Sequence, residues 1–491
     1  MRLTRTLLPA VCILASLAGC TAGGTDKESV STGQPELRFT DGRFRILQLT
    51  DLHWKDDAAN CDTTEATIRA LVAAEKPGLI ALTGDVVTYE PATAGWKHIV
   101  RILDSLEVPF TIGIGNHDAE YLTRDSIFTL AMASPYYVGD RGPATLHGRG
   151  NTLLPVIGAD GKTAAMIYCL DSNDDPASEI YGPYDWIHFD QIQWYRQKSD
   201  SVTAAAGGTP VPSLMFFHIP LQEYAGVMGD PNTFGCAKEG AGASSAINSG
   251  LFASLLEQGD VMGVFVGHDH ENDFVGLNRG IALGFGRCTG TQAYGDAHRG
   301  GRIIELREGE RRFDTWTVTP DGRDPAWHYP SALNDVMAAE MTYLPAIEHA
   351  DTAHGVSYDY YEGLIKHTSQ ITDAMHRSSG TMPNFDITGA PVDDHFAYRF
   401  HTLIRIPERG VYRFHTYSDD GSTLAIDGKT VVDNDGGHST QLREGLVALE
   451  AGFHRLDLIY FENYMGQELK VGITSLDIPT TEIPDSMLYL P

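Results

Sequence analysis

The stretches TDLHW (50–54), TGDVV (83–87), GNHD (115–118), FFHIP (216–220) and GHDH (267–270) decide how this chain reads. Each sits at the end of a short apolar run: residues 44–49, 78–82, 110–114, 214–217 and 261–266, with a sixth run at 164–170. Runs this short, without apolar/polar alternation, are expected for strands covered on both faces. Helix-like stripes lie between them, such as Ile68, Leu71 and Val72, then Trp96, Ile99, Val100, Leu103 and Leu106. The rhythm predicts a layered α/β domain, central β-sheets flanked by helices. Ligands of such sheets gather outside the carboxyl ends of the strands. Asp51 with His53, and His268 with His270, stand two residues apart, so an extended backbone aims each pair into one pocket. Gly84, Gly115 and Gly267 permit the sharp departures that let backbone and ligand come close.

In that order, DxH, GDxx, GNHD, a lone histidine and GHxH resemble the calcineurin-like metallophosphoesterase superfamily over about residues 43–318. FRILQLTDLHW (44–54), LTGDVV (82–87), HIPLQEY (218–224) and GHDHENDF (267–274) look closest to its purple-acid-phosphatase-like branch. The resemblance implies a metal-dependent phosphoric ester hydrolase, phosphatase or phosphodiesterase, with two divalent or mixed-valence ions sharing a hydroxide. Carried over residue by residue, Asp51, His53 and His270 hold one ion, Asn116, His218 and His268 the other, and Asp85 bridges them. His117 is implied as the catalytic group beside the metals, and Asp118 as the acceptor that orients it. Mixed nitrogen and oxygen ligands suit Fe, Mn or Zn and do not choose among them. One position departs. The coloured purple acid phosphatases have a tyrosine three residues after the GD aspartate, where this chain has Thr88, so a violet iron–tyrosinate centre is not expected. By the period of two, Asp269 should point away from both ions. Arg287 reads as a surface or structural arginine, and the aromatic segment 181–194 as core ahead of pocket wall.

Residues 319–355, broken by Pro320, Pro325 and Pro330, read as a linker with one short helix over 331–343. Beyond it, short alternating segments separated by Asp420-Gly421 and Asp427-Gly428 turns predict an all-β sandwich over 356–475, followed by a tail at 476–491. YDYYEG (358–363), SDDGS (418–422), IDG (426–428) and VVDNDG (431–436) resemble the protective-antigen-type β-sandwich family. Some members of that family bind glycans through calcium held by paired aspartates. Asp419 and Asp420 occupy a comparable place, but the favoured reading is a turn that members without a ligand share.

At the other end, Arg2, Arg5 and the apolar run 7–18 form a signal peptide over residues 1–20, too short to span a bilayer. It ends in LAGC (17–20), which resembles a lipobox, so Cys20 is the expected lipidation site and residues 21–42 a flexible tether. The implied location is the bacterial cell envelope, lipid-anchored on a periplasmic or surface face. Cys61, Cys169, Cys236 and Cys288 remain, with no basis in the sequence for choosing a disulfide pair. With 36 Lys+Arg against 65 Asp+Glu, the net charge of −29 argues against a nucleic-acid scaffold. Two readings follow. One is an exported phosphoester hydrolase with an accessory sandwich; the alternative is a glycan-binding surface lipoprotein with a vestigial phosphoesterase domain.

Overall fold

All six expected runs form strands, and they divide between two sheets. A computed structural model describes residues 34–56, 61–230, 232–240, 242–349 and 353–491; the signal peptide and Cys20 lie outside these residues. In one sheet Arg43–Leu49, Leu79–Thr83 and Phe110–Gly113 run parallel, and antiparallel Gly301–Arg307 and Phe313–Thr319 extend it. In the other, Thr163–Cys169, Ser213–Phe216, Val261–Val266 and Ile281–Phe285 run parallel.

The burial pattern explains the missing alternation. Ile46, Leu79 and Ala81 turn toward Ile167, Leu214 and Phe216 of the opposite sheet. Their neighbours Leu47, Ile80 and Leu82 face the helices Cys61–Glu75 and Ala92–Leu106, through Ile68, Trp96 and Ile99. On the far side Tyr168, Met215 and Val264 pack under the helices Phe189–Ala205 and Leu251–Gln258. The result is helix, sheet, sheet, helix, with the parallel strands of both sheets delivering their carboxyl ends to the site. The C-terminal region is an all-β sandwich built from a five-stranded and a seven-stranded sheet.

Three boundaries need correction. The end of the expected tether is part of the fold: Leu37–Arg38 pairs with Thr152–Ile157, and Leu37 and Phe39 are buried. The expected linker is not a linker. Trp327–Tyr329 and Leu333–Asn334 continue the first sheet, with Tyr329 stacked on Phe313 at 4.9 Å. Strands of two or three residues carry no readable periodicity, so their prolines looked like a break. The helix is shorter than expected, Asp335–Glu340, capped by the Asn334 side chain accepting from the Met337 amide. Next, Tyr343–Leu344 joins the sandwich beside Gln441–Leu449. The tail also belongs to the sandwich, through Thr481–Glu482 and Leu488–Tyr489. Between the two regions Leu333 packs on Val411 and Ala448, and the buried Arg413 guanidinium donates to the Ala332 carbonyl at 3.3 Å. Cys169, Cys236 and Cys288 carry free thiols, so no pair among them is joined.

Candidate metal centre

Strand ends bring the motif residues together by pairing their loops. The Asp51 amide donates to Gly84 O, the His53 amide to Asp85 O, and the Gly267 amide to His218 O. Asp51, His53, Asp85 and His268 all take positive φ, between 42° and 81°, a costly conformation for residues with a Cβ. Four such residues in one pocket mark a place where geometry is imposed by the surroundings. Gly84 is needed here: its φ is 92°, and a Cβ would stand 2.5 Å from His218 Nδ1.

The side chains form two buried groups, Asp51–His53–His270 and Asp85–His218–His268. His270 Nε2 lies 3.5 Å from Asp51 Oδ1 and 3.1 Å from His53 Nε2. His268 Nδ1 lies 3.3 Å from His218 Nε2. Asp85 Oδ2 is within reach of both groups, 3.6 Å from His53 Nε2 and 3.4 Å from His218 Nε2. Two of the outer ring nitrogens are tied down, while His268 Nε2 and His270 Nδ1 are buried without a hydrogen-bond partner among the described residues. His218 Nδ1–H donates to the Thr83 carbonyl at 2.7 Å, and His53 Nδ1 meets Thr88 Oγ1 at 2.9 Å. Such partners fix the tautomer and leave Nε2 for the pocket. Thr88, at the family's tyrosine position, thus supports a histidine from behind.

Electrostatics follow from burial and neighbours. Burial pushes Asp51 and Asp85 up, yet the facing histidines hold both below the usual carboxylate range. Burial pushes His218 down, but the Asp85 charge lifts it to about 10. For His53 and His268 burial prevails, and His268 falls to about 3. The pocket therefore holds ionised carboxylates beside neutral His53 and His268, the form in which these groups bind metals, while His218 carries a proton that a metal ion would have to displace. Asn116 Oδ1 is buried with no hydrogen-bond partner, as an oxygen kept for a cation would be. This donor set fits two borderline metal ions.

Asp118 does not orient His117. Its Oδ1 accepts from the Val86 and Val87 amides, at 2.8 and 3.0 Å, and Oδ2 from the Gly115 amide at 2.9 Å. Consecutive residues in a turn point apart, so this carboxylate clips the GD and GNHD loops together. His117 Nδ1 instead meets Glu120 Oε1 at 2.6 Å, while its backbone N–H donates to Asp85 Oδ1. Burial pushes the His117 pKa down, but Asp85 and Glu120 outweigh it and the net shift is upward. The three-residue spacing of His117 and Glu120 in one turn was the signal that sequence reasoning passed over. Asp269 does point away: it accepts from the Ala243 amide and Asn272 Nδ2, anchoring a loop. Arg287 is structural, forked onto Asp273 and paired with Asp324.

In the sandwich, Asp419 and Asp420 are joined by a third acid that the sequence reading missed, Glu462. Asp420 accepts from the His438 and Asn463 amides, and Asp419 from the Thr440 amide. Glu462 Oε1 is buried without a partner. Burial, then Asp420 and Asp419, push Glu462 up to about 8.

Comparison with known proteins places both regions in families. Residues 44–272 match the calcineurin-like phosphoesterase family and residues 353–487 the PA14 domain. The chain is 32% identical over 317 residues to "Probable inactive purple acid phosphatase 29" of Arabidopsis thaliana, covering 57% of this chain and 81% of that one. It is 30% identical over 327 residues to "Phosphatase DCR2" of Saccharomyces cerevisiae, covering 58% and 56% respectively. A solved dimetal phosphatase from Danio rerio overlaps 57% of this chain and 98% of its own, at 12% identity and a TM-score of 0.43. The chain belongs to the calcineurin-like phosphoesterases, in their purple-acid-phosphatase-like branch, and carries a C-terminal PA14 domain.

Proposed function

We propose that this chain is an active binuclear-metal phosphoester hydrolase, anchored by lipid at Cys20 in a bacterial cell envelope, with a calcium-dependent sandwich able to take a glycan. One observation carries the enzyme reading: Asp85 Oδ2 reaches a histidine of each group, so one carboxylate serves both sites. "Inactive" in a relative's name is said of that relative; in this chain all seven ligand positions hold competent donors.

Asp51, His53 and His270 would hold one ion, Asn116, His218 and His268 the other, with Asp85 between. The ions, when bound, supply Lewis-acid charge at the phosphoryl oxygens and acidify the attacking water. The protein contributes orientation and a proton. Glu120 holds His117 by Nδ1, which leaves Nε2 for the ester. Its raised pKa favours the protonated ring. As water adds to phosphorus and the ester P–O bond breaks, Nε2–H gives its proton to the leaving oxygen.

The experiment is hydrolysis of an aryl phosphate and a bis-aryl phosphate by residues 21–491 loaded with Fe, Mn or Zn. A folded protein holding two ions that cleaves neither ester would favour the vestigial reading. For the sandwich, the orphaned Glu462 Oε1 beside Asp419 and Asp420 favours a calcium ion. For the anchor, Cys20→Ser should abolish lipid mass on the mature N-terminus. Wild-type protein recovered without lipid would reject that part alone. Among the described residues no helix is long and apolar enough to cross a membrane.

A further inference from the structure

Each histidine of the GHDH motif carries a tyrosine from a different loop. The Tyr184 ring meets His268 edge to face, with centroids 4.6 Å apart at 87°. The Tyr294 ring stacks on His270 at 3.9 Å and 28°. Because His268 and His270 send their side chains into one pocket, the two tyrosines border that pocket on the sides of the second and first groups respectively.

Both rings are held in place. Tyr294 is 58% exposed, yet His270 covers one face and its hydroxyl donates to Glu239 Oε2 at 3.2 Å. Tyr184 stands on a loop braced by a stack of three rings. Trp186 lies 4.9 Å from His188, and His188 lies 3.8 Å from His147 at 1°. Asp185 holds His188 at 3.0 Å, and Asp190 holds His147 at 2.9 Å. Rings fixed in this way offer apolar area at little further entropic cost. A cleft of about 440 Å³ adjoins His270, lined by Glu271, Asp273, Arg287, Cys288 and His298 among others and by neither tyrosine, and leaves room beside the metal pocket for a group larger than phosphate.

The surrounding charge narrows the choice. Lys238 is engaged by both Glu271 and Asp296, Arg287 in the cleft by Asp273 and Asp324, and Glu239 stands beside Tyr294; Arg299 donates to the Tyr294 carbonyl, and carboxylates still outnumber these three cations. An anionic leaving group would be repelled.

We infer that Tyr184 and Tyr294 form an aromatic clamp selecting phosphoesters whose leaving group is an uncharged or cationic planar ring. The inference rests on the phosphoester reading for its substrate and deepens it. Offset or edge contact with one ring is worth about 3-fold to 10-fold in affinity.

The test compares benzyl phosphate with butyl phosphate, whose leaving alcohols have similar acidity, so intrinsic reactivity does not decide the ratio. The wild type should favour the benzyl ester in kcat/KM by about 5-fold or more. Tyr294→Leu and Tyr184→Leu should each cut that ratio by about 3-fold or more, and Tyr294→Phe and Tyr184→Phe should keep it. Calorimetry with benzylphosphonate against butylphosphonate, neither of which can be hydrolysed, reads the same preference as binding in the metal-loaded wild type. Equal rates and equal affinities would overturn the clamp. Hydrolysis of neither ester, with tighter benzylphosphonate binding, would uphold the clamp and sink the hydrolase reading. A leucine variant that fails to fold shifts the decision to the wild-type calorimetry and the phenylalanine pair.

Discussion

Asp51 and Asp85 lie among four histidines, whereas among the described residues Asp419, Asp420 and Glu462 have no cationic side chain as a hydrogen-bond partner. In the first cluster the neighbours keep the acids ionised; in the second, mutual repulsion and burial lift Glu462 to about 8. By its donors the first cluster suits borderline metals, and the second, proposed as a cation site, offers only oxygens, which would suit a hard cation. The difference teaches how each tolerates being empty. Histidines can take protons where a metal would sit, while a carboxylate cluster must itself become protonated or find a cation.

The largest effect is expected from the residue that joins both metal groups. Asp85→Asn should abolish turnover and lower metal content together, checked by elemental analysis beside the aryl phosphate assay. A variant with two tightly held ions would break the bridging assignment. His117→Ala should slow turnover by about 10²–10⁴-fold with both ions retained. Loss of an ion there would move His117 among the ligands. Glu120→Gln keeps a hydrogen-bond acceptor but removes the charge, and should cost about 10-fold to 100-fold in kcat with little change in KM. An unchanged kcat would show that His117 needs no partner.

The sandwich cluster is expected to give the smallest effect, and one that pH reports. Glu462 is raised from an ordinary 4.5 to about 8, so the folded state binds the extra proton. Stability without a cation should therefore be full below about pH 4.5 and decline as pH rises through about 8. Calcium should restore it at pH 8, by about 2.7 kcal/mol at one hundred times Kd. Glu462→Gln should flatten the pH dependence and remove the calcium response. Melting curves in chelator and in calcium decide this, and a pH-independent wild type would remove the cluster from consideration as a cation site.

Much of the metal centre was legible because its residues sit at strand ends in short, ordered motifs. Asp51, His53, Asp85, His218, His268 and His270 all fall into the two groups. What stayed hidden depended on distant parts of the chain or on turn geometry. Glu462 is far from Asp419 in sequence and reaches it only because Gly452–Glu462 pairs with Ser422–Ile426. Asp118 was misassigned because adjacency in sequence says little about direction within a turn. Tyr184 lies in the segment 181–194, which reads as core ahead of pocket wall, and nothing in the sequence singles out Tyr294; their packing on the histidines appears only once the loops are placed. The linker was misread for a related reason, since two-residue strands have no period to detect.

That segment has a thermodynamic consequence. Leu333–Asn334 closes the sheet of the first domain and Tyr343–Leu344 adds to a sheet of the sandwich, with only one short helix between them. Arg413 is buried against Ala332, so separating the domains would expose a guanidinium's partner and the apolar faces of Leu333, Val411 and Ala448. Unfolding should then be one cooperative event, seen as a single calorimetric peak. Calcium held by the sandwich would delay the melting of a phosphoesterase domain it never touches.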